Sequence, residues 1–149
     1  MAILITNRQA IASLDISSLR RSIHRILKHL GREKDEISVL FVEDREIRDI
    51  NKTYLKRDRP TNVIAFSMQE GPFRKIHPQV LGDVVISIET AFRDARKEGM
   101  PLEDEILFLL IHGILHLLGY DHEGSAARSR RMGQKQREIF DALKNALIK

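Results

Sequence analysis

The most apolar stretch of the chain, and the one that decides its fold, reads ILFLLIHGILHLLGYDH from residue 106 to residue 122. It predicts a buried helix from about Leu102 to Leu118, at the centre of the molecule. Histidine is unusual in such a helix, yet this stretch contains three of the six histidines of the chain, which are His112, His116 and His122. The apolar run is too short to cross a bilayer, which needs about 20 such residues.

The spacing of these histidines is typical of a metal site. Residues four apart on an α-helix lie one above the other, so His112 and His116 point the same way. Gly119 is expected to end the helix in the left-handed conformation and to turn the chain, which brings His122 to the same point. Three converging imidazoles with a fourth position open to water are typical of a catalytic zinc ion. The alternative is a set of buried, hydrogen-bonded histidines.

The arrangement differs from that of zinc peptidases at one position. Their pattern, H-E-x-x-H-x-x-G-x-x-H, places a glutamate general base where this chain has Gly113. Glycine inside a helix destabilises it by roughly 1 kcal/mol relative to alanine, so we expect a reason for it. Two reasons stay open: space for a bulky substrate beside the metal, or close helix packing. Asp121 is the nearest carboxylate, a candidate general base or a residue that orients a ligating imidazole.

Periodicity and capping residues divide the rest of the chain into short strands and helices. Strands are predicted at 3–6, 37–42, 62–68 and 83–88, and helices between Asp15 and Gly31, after the capping residue Asp44, from Ser87 to Glu98 and from Ser125 to Ile148. The last helix carries Met132, Gln136, Ile139 and Leu143 along one stripe. We therefore predict an α+β fold, a single domain over residues 1–149, with a small mixed sheet of about four strands covered by about five helices.

Composition limits the class of protein. The 149 residues are 42% hydrophobic and 31% charged, which is typical of a soluble globular protein. The absence of cysteine excludes disulfides and thiolate metal sites. The first residues, MAILITNRQA, do not resemble a signal peptide, so we expect a cytoplasmic protein with no membrane partner. The net charge of +4 weakly favours polyanionic partners.

Two basic segments are candidates for RNA contact. Lys56, Arg57 and Arg59 follow the second predicted helix, and Arg128, Arg130, Arg131, Lys135 and Arg137 follow the histidine stretch. Either segment has the charge to bind an RNA backbone. The alternative for each is a solvated helix face. Only 5% of the residues are aromatic, so we do not expect base stacking to contribute strongly to RNA binding.

The histidine stretch HGILHLLGYDH also resembles the signature of the YbeY endoribonucleases, bacterial metal-dependent enzymes of ribosomal RNA maturation. NKTYLKRDRPTNVIAFS at 51–67 is similar to the family's N-x-x-Y-R-x-x-D-x-P-T-D-V-L-S-F-P stretch, and LGDVVIS at 81–87 to its L-G-D-I-V-I-S strand. The resemblance implies a zinc-type ion on His112, His116 and His122. It also implies late 3′-end maturation of small-subunit ribosomal RNA, ribosome quality control, and ribosome-assembly proteins as partners.

The chain departs from the family pattern at several positions. Leu55 stands where the family usually has an arginine tied to activity, which puts the phosphate-binding role in doubt there. That role is open to Lys56, Arg57 or Arg59 in the same loop. Further departures are Asn62 for Asp, Ala65 for Ser and Ser67 for Pro.

Three functions are compatible with these features. The first is a single-strand-specific, metal-dependent endoribonuclease acting in ribosomal RNA processing. The second is a zinc-dependent, peptidase-like hydrolase that takes its base from elsewhere, such as Asp121. The third is a non-catalytic zinc protein that binds the ribosome. Gly113 and the basic segments disfavour the second, and the open fourth metal position disfavours the third. We predict the first.

Overall fold

The computed structural model describes residues 3–69, 79–120 and 125–148, with the side chains of 145–148 left aside. Strands and helices alternate irregularly along the chain. In order they are β1 (Ile3–Asn7), α1 (Ile16–His29), β2 (Glu36–Val42), α2 (Asp44–Leu55), β3 (Val63–Ser67), β4 (Val80–Ser87), α3 (Ile88–Glu98), α4 (Leu102–Leu117) and α5 (Ala126–Ile148). The α+β class, with a four-stranded mixed sheet and five helices among the described residues, is confirmed. The domain boundary 1–149 stays a prediction.

The sheet has the strand order β1-β2-β4-β3. Strands β1, β2 and β4 are parallel, whereas β3 runs antiparallel to β4 and forms one edge. Side chains alternate between its two faces, as the two-residue period of a strand requires. Phe41 and Ile86 belong to the main core with α1, α4 and α5, while Val42 and Val85 pack with Ile47 of α2 in a smaller cluster. Helices therefore cover both faces.

Helix α4 is the centre of the main core. Ten of its sixteen residues are buried, including Leu107, Leu110 and Leu117, as the apolar run predicts. The helix packs against β3, β4, α3 and α5. Within the described part of the chain, no helix has the length and apolar character needed to span a membrane.

Two of the predicted helix caps are confirmed and one is wrong. Asp15 accepts a hydrogen bond from the Ser18 backbone at 3.1 Å, and Ser87 accepts one from the Thr90 backbone at 3.2 Å. Asp44 is instead the first residue of α2, after Glu43. Its carboxylate accepts hydrogen bonds from Ser87, Thr90 and Arg93, which tie α2 to α3. Burial raises the pKa of Asp44, but these bonds outweigh it and the net pKa is lowered.

Strand β4 is longer than predicted because it begins at Val80 rather than Asp83. Gly82 has a φ of 139° at an irregularity where the pairing with β2 shifts register. A Cβ atom on Gly82 would lie 2.1 Å from the Phe66 carbonyl oxygen, so only glycine fits between β4 and β3. Glycine has a low strand propensity, so a prediction from propensity alone begins this strand after Gly82, at Asp83.

Candidate active site

Helix α4 brings His112 and His116 together on one face. Their Nε2 atoms lie 3.2 Å apart, and their rings are inclined by 71° with centroids 4.7 Å apart. Two nitrogens bound to one tetrahedral zinc at about 2.0–2.1 Å would be about 3.3–3.4 Å apart. The observed separation therefore fits a shared ion. It equally fits a hydrogen bond between the rings, which an ion would replace.

The chain turns sharply where the histidine motif requires it. Gly119 has a φ of 96°, its N–H donates to the His116 carbonyl at 3.0 Å, and the N–H of Tyr120 donates to the Leu115 carbonyl at 3.0 Å. This pair of bonds is a Schellman motif, which ends a helix and redirects the chain. The predicted third ligand, His122, and the candidate base, Asp121, lie outside the described residues. The described ranges contain no group of three metal-binding side chains, so the ligand set stays a prediction.

Gln136 is a site residue that the sequence analysis treated only as part of the apolar stripe of α5. It is buried, and its Oε1 lies 3.2 Å from His112 Nδ1. Its Nε2 donates to the Phe108 carbonyl at 3.1 Å. The signal in the sequence was a polar residue among Met132 and Ile139, both of which are core residues.

Gly113 is explained by close packing rather than by space for substrate. A Cβ atom there would lie 2.6 Å from Val84 Cγ1, closer than such atoms approach. The helix therefore lies directly on β4 at this point. A glutamate in this position, as the zinc peptidases have, finds no room.

The two histidines open onto a cleft of about 270 Å³ between α4, β3 and the segment after α2. Its lining comprises Asn51, Leu55, Arg57, Arg59, Thr61, Asn62, Val63, Ile64, Ala65, His112, Gly113 and His116. Of the predicted RNA-binding residues, Arg57 and Arg59 line this cleft and Lys56 does not. Lys56 instead adopts a left-handed conformation with a φ of 61° and ends α2.

A buried asparagine holds the two arginines in place. Asn51, on α2, is 3% exposed, and its Nδ2 donates to the Arg59 carbonyl at 2.9 Å. The backbone N–H of Arg57 donates to the Asn51 carbonyl at 3.2 Å. Both arginines are thus attached through their backbones to a single buried residue, and their side chains stay available to the cleft.

The basic side chains around the cleft differ in whether an acidic side chain pairs with them. Asp58 pairs with Arg48 at 2.8 Å and lies 3.9 Å from Lys52, so those two cations are partly neutralised. Arg57 and Arg59 make no ion pair with any acidic side chain of the described ranges. The cleft therefore combines two imidazoles with two arginines that no acidic side chain of the described ranges neutralises.

An unusual acid lies near the start of the same helix. Glu105 is 3% exposed, and its Oε2 has no hydrogen-bond partner among the described residues. The pKa of Glu105 is raised to about 7, and burial is the largest cause. The charge of Glu98, a hydrogen bond with Glu98 and the charge of Asp94 contribute in the same direction. Asp94 in turn accepts a hydrogen bond from Asn62 of the cleft at 3.3 Å.

The second basic segment lies on α5. Arg128, Arg130, Arg131 and Arg137 are exposed. Arg128 and Arg131 line a separate cavity of about 310 Å³ beside Gly119 and Tyr120, just past the end of α4. The segment thus lies next to the turn that follows the histidines, but it does not line the cleft of the arginines.

Comparison with known proteins identifies the family. The family model described as Endoribonuclease YbeY matches residues 4–144. The chain belongs to the endoribonuclease YbeY family. Relatives named Endoribonuclease YbeY from Syntrophus aciditrophicus and Geobacter sulfurreducens are 47% identical over 141 residues and 48% identical over 146 residues. The matches cover 94% of this chain and 88% of the relative in the first case, and 97% of each in the second.

The fold is also found among solved structures. The solution structure of a protein from Thermotoga maritima aligns with a TM-score of 0.65 at 27% identity, covering 93% of this chain and 87% of the other. The resemblance to the YbeY endoribonucleases that the histidine stretch and the 51–67 and 81–87 segments indicate is therefore confirmed over almost the whole chain.

Two departures from the YbeY pattern have visible consequences. Leu55, in the usual arginine position, is 45% exposed and lines the cleft as an apolar residue. Ser67, in the usual proline position, donates from its Oγ to the Leu117 carbonyl at 2.9 Å and accepts from the Gln69 backbone at 3.1 Å. The serine joins the end of β3 to the end of α4, immediately after His116.

Proposed function

We propose that this chain is a single-strand-specific, metal-dependent endoribonuclease acting in ribosomal RNA processing. The observation that carries the proposal is one cleft that contains both converging histidines of α4 together with Arg57 and Arg59, which form no ion pair within the described residues. Membership of the endoribonuclease YbeY family supports the reaction type. The alternatives of a peptidase-like hydrolase and a non-catalytic zinc protein are not favoured by these relatives.

Zinc is the proposed ion, with His112, His116 and His122 as its ligands. Imidazole suits zinc, although other divalent transition metals bind the same donors. When bound, such an ion polarises a phosphoryl oxygen and lowers the pKa of coordinated water. The support from the described residues is the 3.2 Å separation of the two Nε2 atoms.

Arg57 and Arg59 are proposed to hold the scissile phosphate. A guanidinium binds phosphate oxygens through two parallel N–H donors and keeps its charge at every relevant pH. Donors fixed in a cleft stabilise the negative charge that develops on the phosphate during cleavage. In this scheme they take the role that the family's usual arginine has, since Leu55 offers no donor.

The size and lining of the cleft support a single-stranded substrate. At about 270 Å³ it lies just below the usual range of ligand pockets, about 300–1,000 Å³, so its size favours a single unpaired nucleotide over a duplex. The attacking oxygen is either the 2′-hydroxyl of the RNA or water. Asp121 is proposed as the general base or as a residue that orients an imidazole.

The proposed substrate is ribosomal RNA of the small subunit, at the late maturation of its 3′ end and in ribosome quality control. The proposed partners are the small subunit and ribosome-assembly proteins, and the proposed compartment is the cytoplasm, where those particles are. These specific roles rest on the family resemblance of the three sequence segments.

The test compares wild type with His116→Ala on single-stranded and double-stranded ribosomal RNA fragments, with and without chelator. We expect wild type to cleave the single strand only, to stop with chelator and to recover with added zinc. His116→Ala should lose zinc and activity while keeping its circular dichroism spectrum, because the apolar core does not depend on the ion. Equal cleavage by the variant would contradict the proposal, and unfolding of the variant would indicate a structural ion.

A further inference from the structure

The side chain of Gln136 makes two hydrogen bonds that together fix its orientation. Its Nε2 donates to the Phe108 carbonyl at 3.1 Å, and its Oε1 faces His112 Nδ1 at 3.2 Å. A carbonyl oxygen can only accept, so the amide nitrogen must face Phe108 and the amide oxygen must face the histidine. Because Gln136 is 6% exposed, water does not compete effectively for either bond.

This orientation determines which nitrogen of His112 carries the proton. The amide oxygen can only accept, so Nδ1 of His112 must donate and hold a hydrogen. In a neutral imidazole the other nitrogen, Nε2, then has the lone pair. Nε2 is the atom that lies 3.2 Å from Nε2 of His116. The glutamine therefore keeps His112 in the tautomer that a metal ligand needs.

We propose that Gln136 is a positioning residue of the metal site, one that selects the tautomer of His112 and aims its Nε2 at the ion. This inference rests on the metal site of the proposed function. Metal-ligating histidines characteristically donate their second N–H to a protein acceptor, and loss of that acceptor typically reduces metal affinity by about 10–100-fold. Phe108 lies one helical turn before His112. The side-chain amide of Gln136 therefore bridges that turn of α4 and restrains the imidazole ring of His112.

The chemistry of an amide gives this arrangement a particular character. A carboxylate in this place would add a negative charge beside His112. The amide oxygen accepts the same hydrogen bond and adds no charge. An ion held there would face no negative charge from this residue, so its positive charge would remain available to a phosphate. Gln136 also connects α5 to α4, so the packing of the last helix controls the geometry of the ligand.

The experiment compares Gln136→Leu, Gln136→Glu and the control Gln134→Leu, a substitution at an exposed position of the same helix. Zinc affinity is measured by competition with a chromophoric chelator in the absence of RNA. We expect a loss of about 10–100-fold for Gln136→Leu. Gln134→Leu should bind as wild type does. Gln136→Glu should lose less affinity than Gln136→Leu, because it keeps the acceptor for His112 but loses the donor to the Phe108 carbonyl. Equal affinity in the two leucine variants would overturn the inference.

Nitrogen NMR of the imidazoles in metal-free wild type gives a readout that needs no variant. We expect the proton of His112 on Nδ1, and a proton on Nε2 instead would overturn the inference even if Gln136→Leu does not fold. The result is separable from the proposed function. A protein whose zinc affinity depends on Gln136 but that cleaves no RNA would refute the ribonuclease proposal alone. A ribonuclease whose zinc affinity ignores Gln136 would refute this inference alone.

Discussion

The side chain of Val84 occupies the space that a Cβ atom on Gly113 would need, because its Cγ1 lies 2.6 Å from the ideal position of that atom. The contact joins the middle of α4 to the middle of β4. Since His112 directly precedes Gly113, this contact determines how deep the histidine face sits against the sheet.

Gly113→Ala should destabilise the protein by about 1–3 kcal/mol through overpacking, although alanine favours a helix. The second substitution Val84→Ala should recover part of that loss, because it removes both clashing methyl groups. Gly133→Ala on α5 is the matched control, since nothing lies within 4 Å of its ideal Cβ, and it should stabilise by up to about 1 kcal/mol. Urea unfolding measures all three. A stabilising Gly113→Ala would contradict the close contact.

Asn51→Ala should weaken RNA binding without affecting zinc binding, because the hydrogen bonds of Asn51 hold the loop of Arg57 and Arg59. The substitution leaves the Arg59 carbonyl without its buried donor, so we expect a loss of about 1–3 kcal/mol in the free energy of unfolding. RNA affinity should fall because both arginines are less well placed, while zinc affinity stays as in wild type. Unchanged RNA affinity in a folded variant would show that Asn51 does not hold the arginines.

The double substitution Arg57→Ala and Arg59→Ala should weaken binding of single-stranded RNA and flatten its salt dependence. Each lost phosphate contact on a single strand reduces the slope of log K against log salt by about 0.7. The control is Arg21→Ala with Arg25→Ala, two exposed arginines on α1, away from the cleft. Filter binding at several salt concentrations measures both slopes. Equal changes in the two double variants would exclude a defined RNA cleft around 57–59.

Glu105 should make the protein less stable as pH rises toward neutrality. Its folded-state pKa of about 7 lies above its ordinary value of 4.5, so the folded state holds the proton more tightly. The resulting stability is complete below about pH 4.5 and is lost as pH passes 7. At about 1.4 kcal/mol per pKa unit, the full difference is about 3–4 kcal/mol.

Glu105→Gln tests this directly, because it keeps the shape and removes the ionisation. Above pH 7 the variant should be more stable than wild type, and the decline in stability between pH 4.5 and 7.5 should become smaller. Glu103→Gln, an exposed change in the same helical turn, should leave the decline intact. Thermal melts across that pH range measure the effect, and parallel curves for Glu105→Gln and wild type would refute it.

The parts of the fold that depend on local spacing were predictable from the sequence. The four-residue separation of His112 and His116 places their Nε2 atoms together by helix geometry alone, and the burial of Leu110 follows from the apolar run. Asp15 and Ser87 cap their helices by accepting from backbone N–H groups three residues ahead in the chain. In each case the interacting groups lie within four residues of each other.

Long-range contacts were not predictable in the same way. Asp44 has the ordinary preference for a cap, but Ser87 and Arg93, more than 40 residues away, bind its carboxylate instead. Gln136 meets His112 only because α5 packs on α4, a contact 24 residues apart in the chain. No periodicity marks such a pair. The roles of Asp121 and His122 stay predictions.

The burial of α4 also limits how this protein can change over evolutionary time. Two of its proposed ligands project from a helix that cannot shift without disturbing Val84, Leu110 and the rest of the core. On the opposite wall, the side chain of Leu55 is 45% exposed and bears no such restriction. Mutation can therefore alter which RNA is bound far more freely than it can alter where the bond is cut. We therefore expect variation at exposed cleft positions such as Leu55, and little variation among the residues that α4 fixes.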